Sequence, residues 1–208
     1  MSHFFNHDTI AQLKALGRTV LLLFGLGAGV ILLFLVFLWE LHMPRPFTET
    51  GPTEIIQSLL LLTSSSLFFI EAFRRPDLRG AMLLVGGFIG CMFIREQDYF
   101  LDFLSHGCWV YPALTLAAGC IVGACLAPRR TLAGLEHFVR WKHFPFLLIG
   151  LVIVLAYSRL FGMRMLWEML LGDNFSYTAK AAMEESSELL GYLFMLVAAI
   201  LVNSDKRL

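Results

Sequence analysis

The chain has 208 residues, 58% of them hydrophobic and 15% charged, with 16 Lys plus Arg against 16 Asp plus Glu. A soluble domain carries about a quarter charged residues, and a globule this small has too little interior to hide so much apolar surface, so lipid must cover much of it. The balanced charge and the lack of a polybasic run argue against nucleic acid as a partner.

In chain order, a bilayer crossing needs about 20 apolar residues. The first such run is 19–39, and it contains no charge until the residue after it, Glu40. Its apolar stretch is too long for a signal-peptide core and no A-x-A site follows, so a retained helix is expected. Residues His3–Leu16 before it have the pattern of a short amphipathic interfacial helix. Further spans are expected at 55–73, 81–104, 109–127, 144–161 and 179–202. The run from Met163 to Leu171 is too short to cross and reads as interfacial or as an extension of the fifth span. Pro44, Pro46 and Pro52 make the connection between the first two spans stiff and non-helical.

Loop charge sets the expected orientation. Lys14 and Arg18 flank the first span, Arg74, Arg75 and Arg79 follow the second, and Arg129, Arg130, Arg140 and Lys142 follow the fourth. Lys206 and Arg207 lie near the C-terminus, while the first outer connection holds Arg45 alone and the second holds no Lys or Arg; the third is less clean, with Arg159, Arg164 and Lys180. The expected fold is therefore an all-α integral membrane protein, a bundle of six transmembrane helices with both termini cytoplasmic, forming a single domain over 1–208. Short loops and compactness suggest a bacterial inner membrane.

Close packing is expected at three G-x-x-x-G pairs, Gly25/Gly29, Gly86/Gly90 and Gly119/Gly123, inside the bundle or between copies in a homo-oligomer. Cys91, Cys108, Cys120 and Cys125 form no C-x-x-C pair and read as small packing residues. No P-loop, H-E-x-x-H or G-x-S-x-G occurs, and no His sits mid-span as a haem ligand would.

The most informative pattern is where the charges fall. Glu54 and Gln57 open the second span; Arg95, Glu96, Asp98, Asp102 and His106 close the third; Glu184, Glu185 and Glu188 open the sixth. With cytoplasmic termini, all three groups reach the outer side. Arg95, Asp98, Asp102 and His106 step by three, four and four along one helical face, predicting Arg95–Asp98 and Asp102–His106 pairs. Glu184 and Glu188 share a face in the same way.

Carboxylates crowded at low dielectric cannot all ionise without compensation. Three chemistries follow: metal binding, proton carriage, or acid–base work on a lipid headgroup. The candidate catalytic residues are Asp98, Glu184, Glu188 and Glu54, with Arg95 as an anion clamp. The candidate ligands for a divalent metal are Glu96, Asp102, His106 and Glu185, with His42 as a further donor. Against these stands a plain alternative, in which the carboxylates sit in headgroup water or in an ion-pair network with Arg95 and Lys180. His137 and His143, with Arg140 and Lys142, read as a headgroup-binding patch.

Glu54 and Ser58 are similar to the early Glu and Ser of alkaline-ceramidase-type hydrolases. Those enzymes also need a pair of histidines late in the chain, and no histidine follows His143, so no residues are carried over. The surviving classes are an enzyme acting on a lipid or lipid-linked substrate, a structural protein packing through its glycine faces, and a small proton- or cation-coupled transporter.

Overall fold

The structure is a computed structural model that describes residues 7–48, 50–103 and 105–205, without the side chains of His7, Asp8 and Ala11. His3, Leu104, Lys206 and Arg207 lie outside the described residues. Every regular element among the described residues is helical. In chain order they are α1 (His7–Leu41), α2 (Pro52–Arg74), α3 (Arg79–Glu96), α4 (Asp98–Leu101), α5 (Val110–Cys125), α6 (Pro128–Val139), α7 (Phe144–Val152), α8 (Ser158–Phe161), α9 (Arg164–Leu171) and α10 (Tyr177–Ser204).

Among the described residues, four helices are long and apolar enough to cross a membrane: Gln12–Leu41 within α1, Pro52–Arg74, Phe144–Phe161 and Tyr177–Ser204. A fifth is reached if α5 and α6, bent by 103°, are taken as one broken span. α5 has 16 residues; at 1.5 Å per residue it reaches only about 24 Å, short of a hydrocarbon core of about 30 Å. α3 falls outside this set because Arg79, Arg95 and Glu96 all lie within its 18 residues.

The helices form a row. α5 packs on α3, α3 on α2, α2 on α10, and α10 on α7 and α8, while α1 lies against α10 and α2. α10 is the pivot, which is why its apolar window is the most buried of the four. α1 is the reverse, with none of its window buried.

Glycines decide where helices approach most closely, but not chiefly where the G-x-x-x-G spacing predicted. Gly86 does meet α2, with Phe68 Cβ 3.2 Å from where its own Cβ would stand. Gly90 faces Leu116 and Ser65. Gly29 touches Leu193, and Gly123 touches Leu83. Gly25 and Gly119 meet nothing within 4 Å. The tightest backbone approach pairs Gly150 of α7 with Gly191 of α10: a Cβ on Gly150 would stand 2.6 Å from the Gly191 carbonyl oxygen. No spacing rule links these two glycines, because they come from different helices.

The hydroxyls of α2 satisfy themselves as an apolar surrounding demands. Ser64 Oγ donates to Leu60 O at 2.6 Å, and Ser65 Oγ donates across to Gly86 O at 2.8 Å.

One end of the bundle is closed. α6, a segment expected to be part of a loop, instead folds back under α3. Thr131 Oγ1 donates to Ala124 O at 2.7 Å, and Gly134 lies beneath Asp77 O. Phe138 packs edge-on to Phe68 and Phe144 and stacks on Trp141. Beside this plug, buried Glu71 pairs with Arg75 at 2.5 Å, Arg75 donates to Asp205 O, and Trp141 Nε1 donates to Asp205 Oδ2 at 3.3 Å. The run expected to be interfacial or an extension of the fifth span is the separate helix α9, held by Trp167 Nε1 donating to Phe161 O at 2.6 Å.

Candidate functional site

The other end gathers the C-terminal ends of α1, α3 and α8 and the N-terminal ends of α2, α5 and α10. Glu40 is the first residue to explain. It is 1% exposed at the end of α1. Its Oε1 accepts from Phe47 N at 3.0 Å and its Oε2 from Thr53 N at 2.8 Å. The N-terminal N–H groups of a helix lack partners within it, so Glu40 serves α2 as a cap supplied from another helix. Gly51 is required beside it, since a Cβ there would fall 2.1 Å from Glu40 Oε1. Phe47 takes the left-handed conformation with φ 57°, which turns the proline-rich connection back over this carboxylate. The start of α2, and with it Glu54 and Gln57, is thereby pinned.

Two ion-pair centres follow. At the end of α3, Arg95 pairs with Glu96 at 2.8 Å, and Tyr192 OH donates to the same Glu96 oxygen at 3.0 Å. In the N-terminal half of α10, Glu188 is 4% exposed and pairs with Arg159 of α8. Ser158 Oγ lies 3.3 Å from Glu188 Oε1 while bonding Val154 O at 2.7 Å. Arg159 also reaches Glu184 Oε1 at 3.4 Å, and Lys180 holds Glu184 Oε2 at 2.9 Å.

The geometry has a local cause. Residues Ile153–Tyr157 form a π-helical turn immediately before Ser158. Such wide turns recur at functional sites. The Gly150–Gly191 crossing lies just behind it and lets α8 press its Ser158–Arg159 step against Glu188, one turn before Gly191.

Gln57, fully buried, donates through Nε2 to Glu185 Oε2 at 2.7 Å, joining α2 to α10. Thr53 Oγ1 and Gln57 Oε1, four residues apart on the same face of α2, are buried without a hydrogen-bond partner among the described residues. Buried orphans of this kind are uncommon and costly. Gln97 Nε2 donates to Ser58 Oγ at 2.6 Å and ties α2 to the end of α3.

Between these elements lies a cavity of about 290 Å3, lined by Glu54, Arg95, Glu96, Asp98, Trp109 and Arg159. The sequence-derived candidates therefore divide. Glu54, Arg95, Glu96 and Asp98 share the cavity. Glu184 and Glu188 stand behind it, paired with the lining residue Arg159, and Glu185 is held by Gln57. Asp102 and His106 pair at 2.8 Å as the spacing predicts, but on the exposed turn after α4, where Asp102 also accepts from Gly107 N at 2.8 Å. Arg95 takes Glu96 as its partner, and Asp98 Oδ1 instead accepts from Tyr99 N at 2.6 Å at the start of α4. His42 closes its own helix, with Nδ1 2.7 Å from Leu38 O.

The proposed ligands do not come together as a set: Glu96 is held by Arg95 and Tyr192, Asp102 pairs with His106, and Glu185 is held by Gln57. Among the described residues no three His, Cys, Asp or Glu side chains are grouped to hold a metal ion. Sequence reasoning missed Arg159, Ser158 and Trp109. Arg159 had a signal: it is a charge inside the apolar stretch 144–161. Trp109 had none, because an aromatic at a span boundary is the ordinary interfacial pattern.

No known protein family, no curated protein and no solved structure matches this chain.

Proposed function

We propose that the chain spans a bacterial inner membrane six times with both termini cytoplasmic, and that its polar cavity is the outward-facing site of an enzyme acting on a lipid or lipid-linked substrate. The orientation is supported by Arg74, Arg75, Arg79, Arg129, Arg130, Arg140 and Lys142, which all belong to the closed end, opposite the cavity. The sixth crossing is α3, whose charged residues lie at its two ends.

The observation that carries the enzyme reading is one-sidedness. A cavity of about 290 Å3 lined by three carboxylates and two guanidinium groups lies at one end. The far end is shut by Phe138, Trp141 and the Glu71–Arg75 pair. A transporter needs a path to both faces, and that plug opposes one.

In this reading Arg95 and Arg159 hold the anionic part of the substrate. Glu54 and Asp98 exchange protons with it. Glu96, clasped by Arg95 and Tyr192, aims the Arg95 guanidinium. Glu184 and Glu188 position Arg159. The proposed chemistry is proton transfer at Glu54 and Asp98, and it calls for no divalent metal.

The test is to incubate purified protein in nanodiscs with a bacterial membrane lipid extract and follow every lipid class by mass spectrometry. Conversion of one class, lost in Asp98→Asn and Glu54→Gln variants that still fold, is expected. No change in any class sinks the enzyme. Near-stoichiometric divalent metal, lost in an Asp98→Ala/Glu188→Ala double variant, would overturn the metal-free mechanism.

One observation favours a second reading, a structural protein that assembles with its own copies. Gly25 and Gly119 face outward with nothing within 4 Å, and no residue of the apolar window of α1 is buried.

A further inference from the structure

The cavity lining carries both signs: Glu54, Glu96 and Asp98 stand with Arg95 and Arg159. A purely anionic ligand would confront the three carboxylates. A purely cationic ligand would confront two guanidinium groups in the lining, each with its side chain more than 40% exposed (Arg95 42%, Arg159 43%). A ligand carrying both signs satisfies both.

Trp109 sharpens the choice. It is half-buried in the lining, and an indole face beside carboxylates is a favourable surrounding for an organic ammonium. Guanidinium groups in turn suit phosphate. At about 290 Å3 the cavity is at the small end of ligand pockets, with room for a headgroup and none for acyl chains.

We infer that the cavity binds a zwitterionic phosphoamine headgroup, with its ammonium against Asp98, Glu54 and Trp109 and its phosphate against Arg95 and Arg159. This rests on the lipid-substrate reading and names the substrate class. The same chemistry is presented by a phospholipid in the bilayer and by a free phosphoamine in water.

The experiment is calorimetric titration of the full chain in maltoside detergent with three probes: dihexanoyl phosphatidylcholine, dihexanoyl phosphatidylglycerol and free phosphocholine. The choline lipid should bind at least about tenfold more tightly than the glycerol lipid. Asp98→Asn and Trp109→Leu should each weaken the choline lipid by up to about tenfold, with no loss for the glycerol lipid. Saturable binding of free phosphocholine assigns a soluble ligand, and binding of the lipid alone assigns the bilayer. Equal or tighter binding of the glycerol lipid overturns the inference, as does no binding of the choline lipid, and the wild-type comparison holds even where a variant fails to fold. Turnover of an amine-free lipid, with no binding of the choline headgroup, would keep the enzyme and remove this substrate.

Discussion

Glu40 carries a charge into a buried position at the end of the most lipid-exposed helix, and it is tolerated because both its oxygens accept backbone N–H groups. Removing it strands two donors, one of them in the first turn of α2. Glu40→Ala should therefore destabilise by about 1–3 kcal/mol, seen as a lower melting temperature in detergent, with Glu40→Gln milder because one oxygen remains. An unchanged Glu40→Ala melting curve would remove its capping role. His143 makes a different prediction at the opposite end of the bundle. Burial, then the neighbouring Lys142 charge, lowers its pKa below the ordinary 6.5, with Asp205 opposing. The folded state thus favours neutral His143. Its contribution is present above about pH 6.5 and is lost as pH falls below that value, where the unfolded chain protonates first. His143→Gln should flatten the pH dependence of stability between about pH 5 and 7. An equally steep profile in that variant would show that other groups set it.

Helix boundaries were largely legible. The expected stretches 55–73, 144–161 and 179–202 fall within Pro52–Arg74, Phe144–Phe161 and Tyr177–Ser204. Long apolar runs bounded by charge and proline have few alternatives. The break after α3 was less visible, since YFLDFL continues an apolar pattern while the chain turns at Gln97 into the short α4. α6 escaped notice because its positive charges resemble a loop, and only docking under α3 shows what its apolar face covers. The glycine contacts were the least legible, for spacing along one helix says nothing of which neighbour it meets. Gly191→Ala places a methyl 2.4 Å from Val154 Cγ2 and 2.9 Å from Gly150 O. Overpacking of this kind costs about 1–3 kcal/mol. The helices must part where Glu188 meets Arg159, so substrate conversion should fall together with the melting temperature. Gly119→Ala, which meets nothing within 4 Å, is the control and should leave both unchanged unless copies of the chain pack there. A Gly191→Ala protein with a wild-type melting temperature would contradict the close crossing.

The proposed six-crossing topology makes one sharp prediction. Ser105 precedes α5 and Arg130 follows it, so a crossing α5 puts them on opposite sides. In intact cells expressing a chain whose four native cysteines are replaced by Ser, a membrane-impermeant maleimide should label Ser105→Cys and spare Arg130→Cys, with both labelled after lysis. The reverse pattern would turn the cavity inward. Equal labelling would make α5 and α6 a re-entrant pair, consistent with their 103° bend. The packing of the helices brings Glu54, Arg95, Asp98, Trp109, Arg159 and Glu188 to one end, although they lie up to 134 positions apart in the chain.

Composition and hydropathy by themselves determined an all-helical chain with spans suited to a membrane, because transferring so many apolar side chains to lipid outweighs any arrangement in water. Charge placement also determined which helix ends would be polar. Which of those polar groups share a cavity was decided by the tertiary structure alone. Glu54 and Asp98 line it while Glu184 and Glu188 stand behind Arg159, and that division depends on the Gly150–Gly191 crossing, the π-helical turn before Ser158 and the Glu40 cap on α2. The crossing and the Arg159–Glu188 pair join segments far apart in the chain, and the periodicity of a single helix carries no information about them.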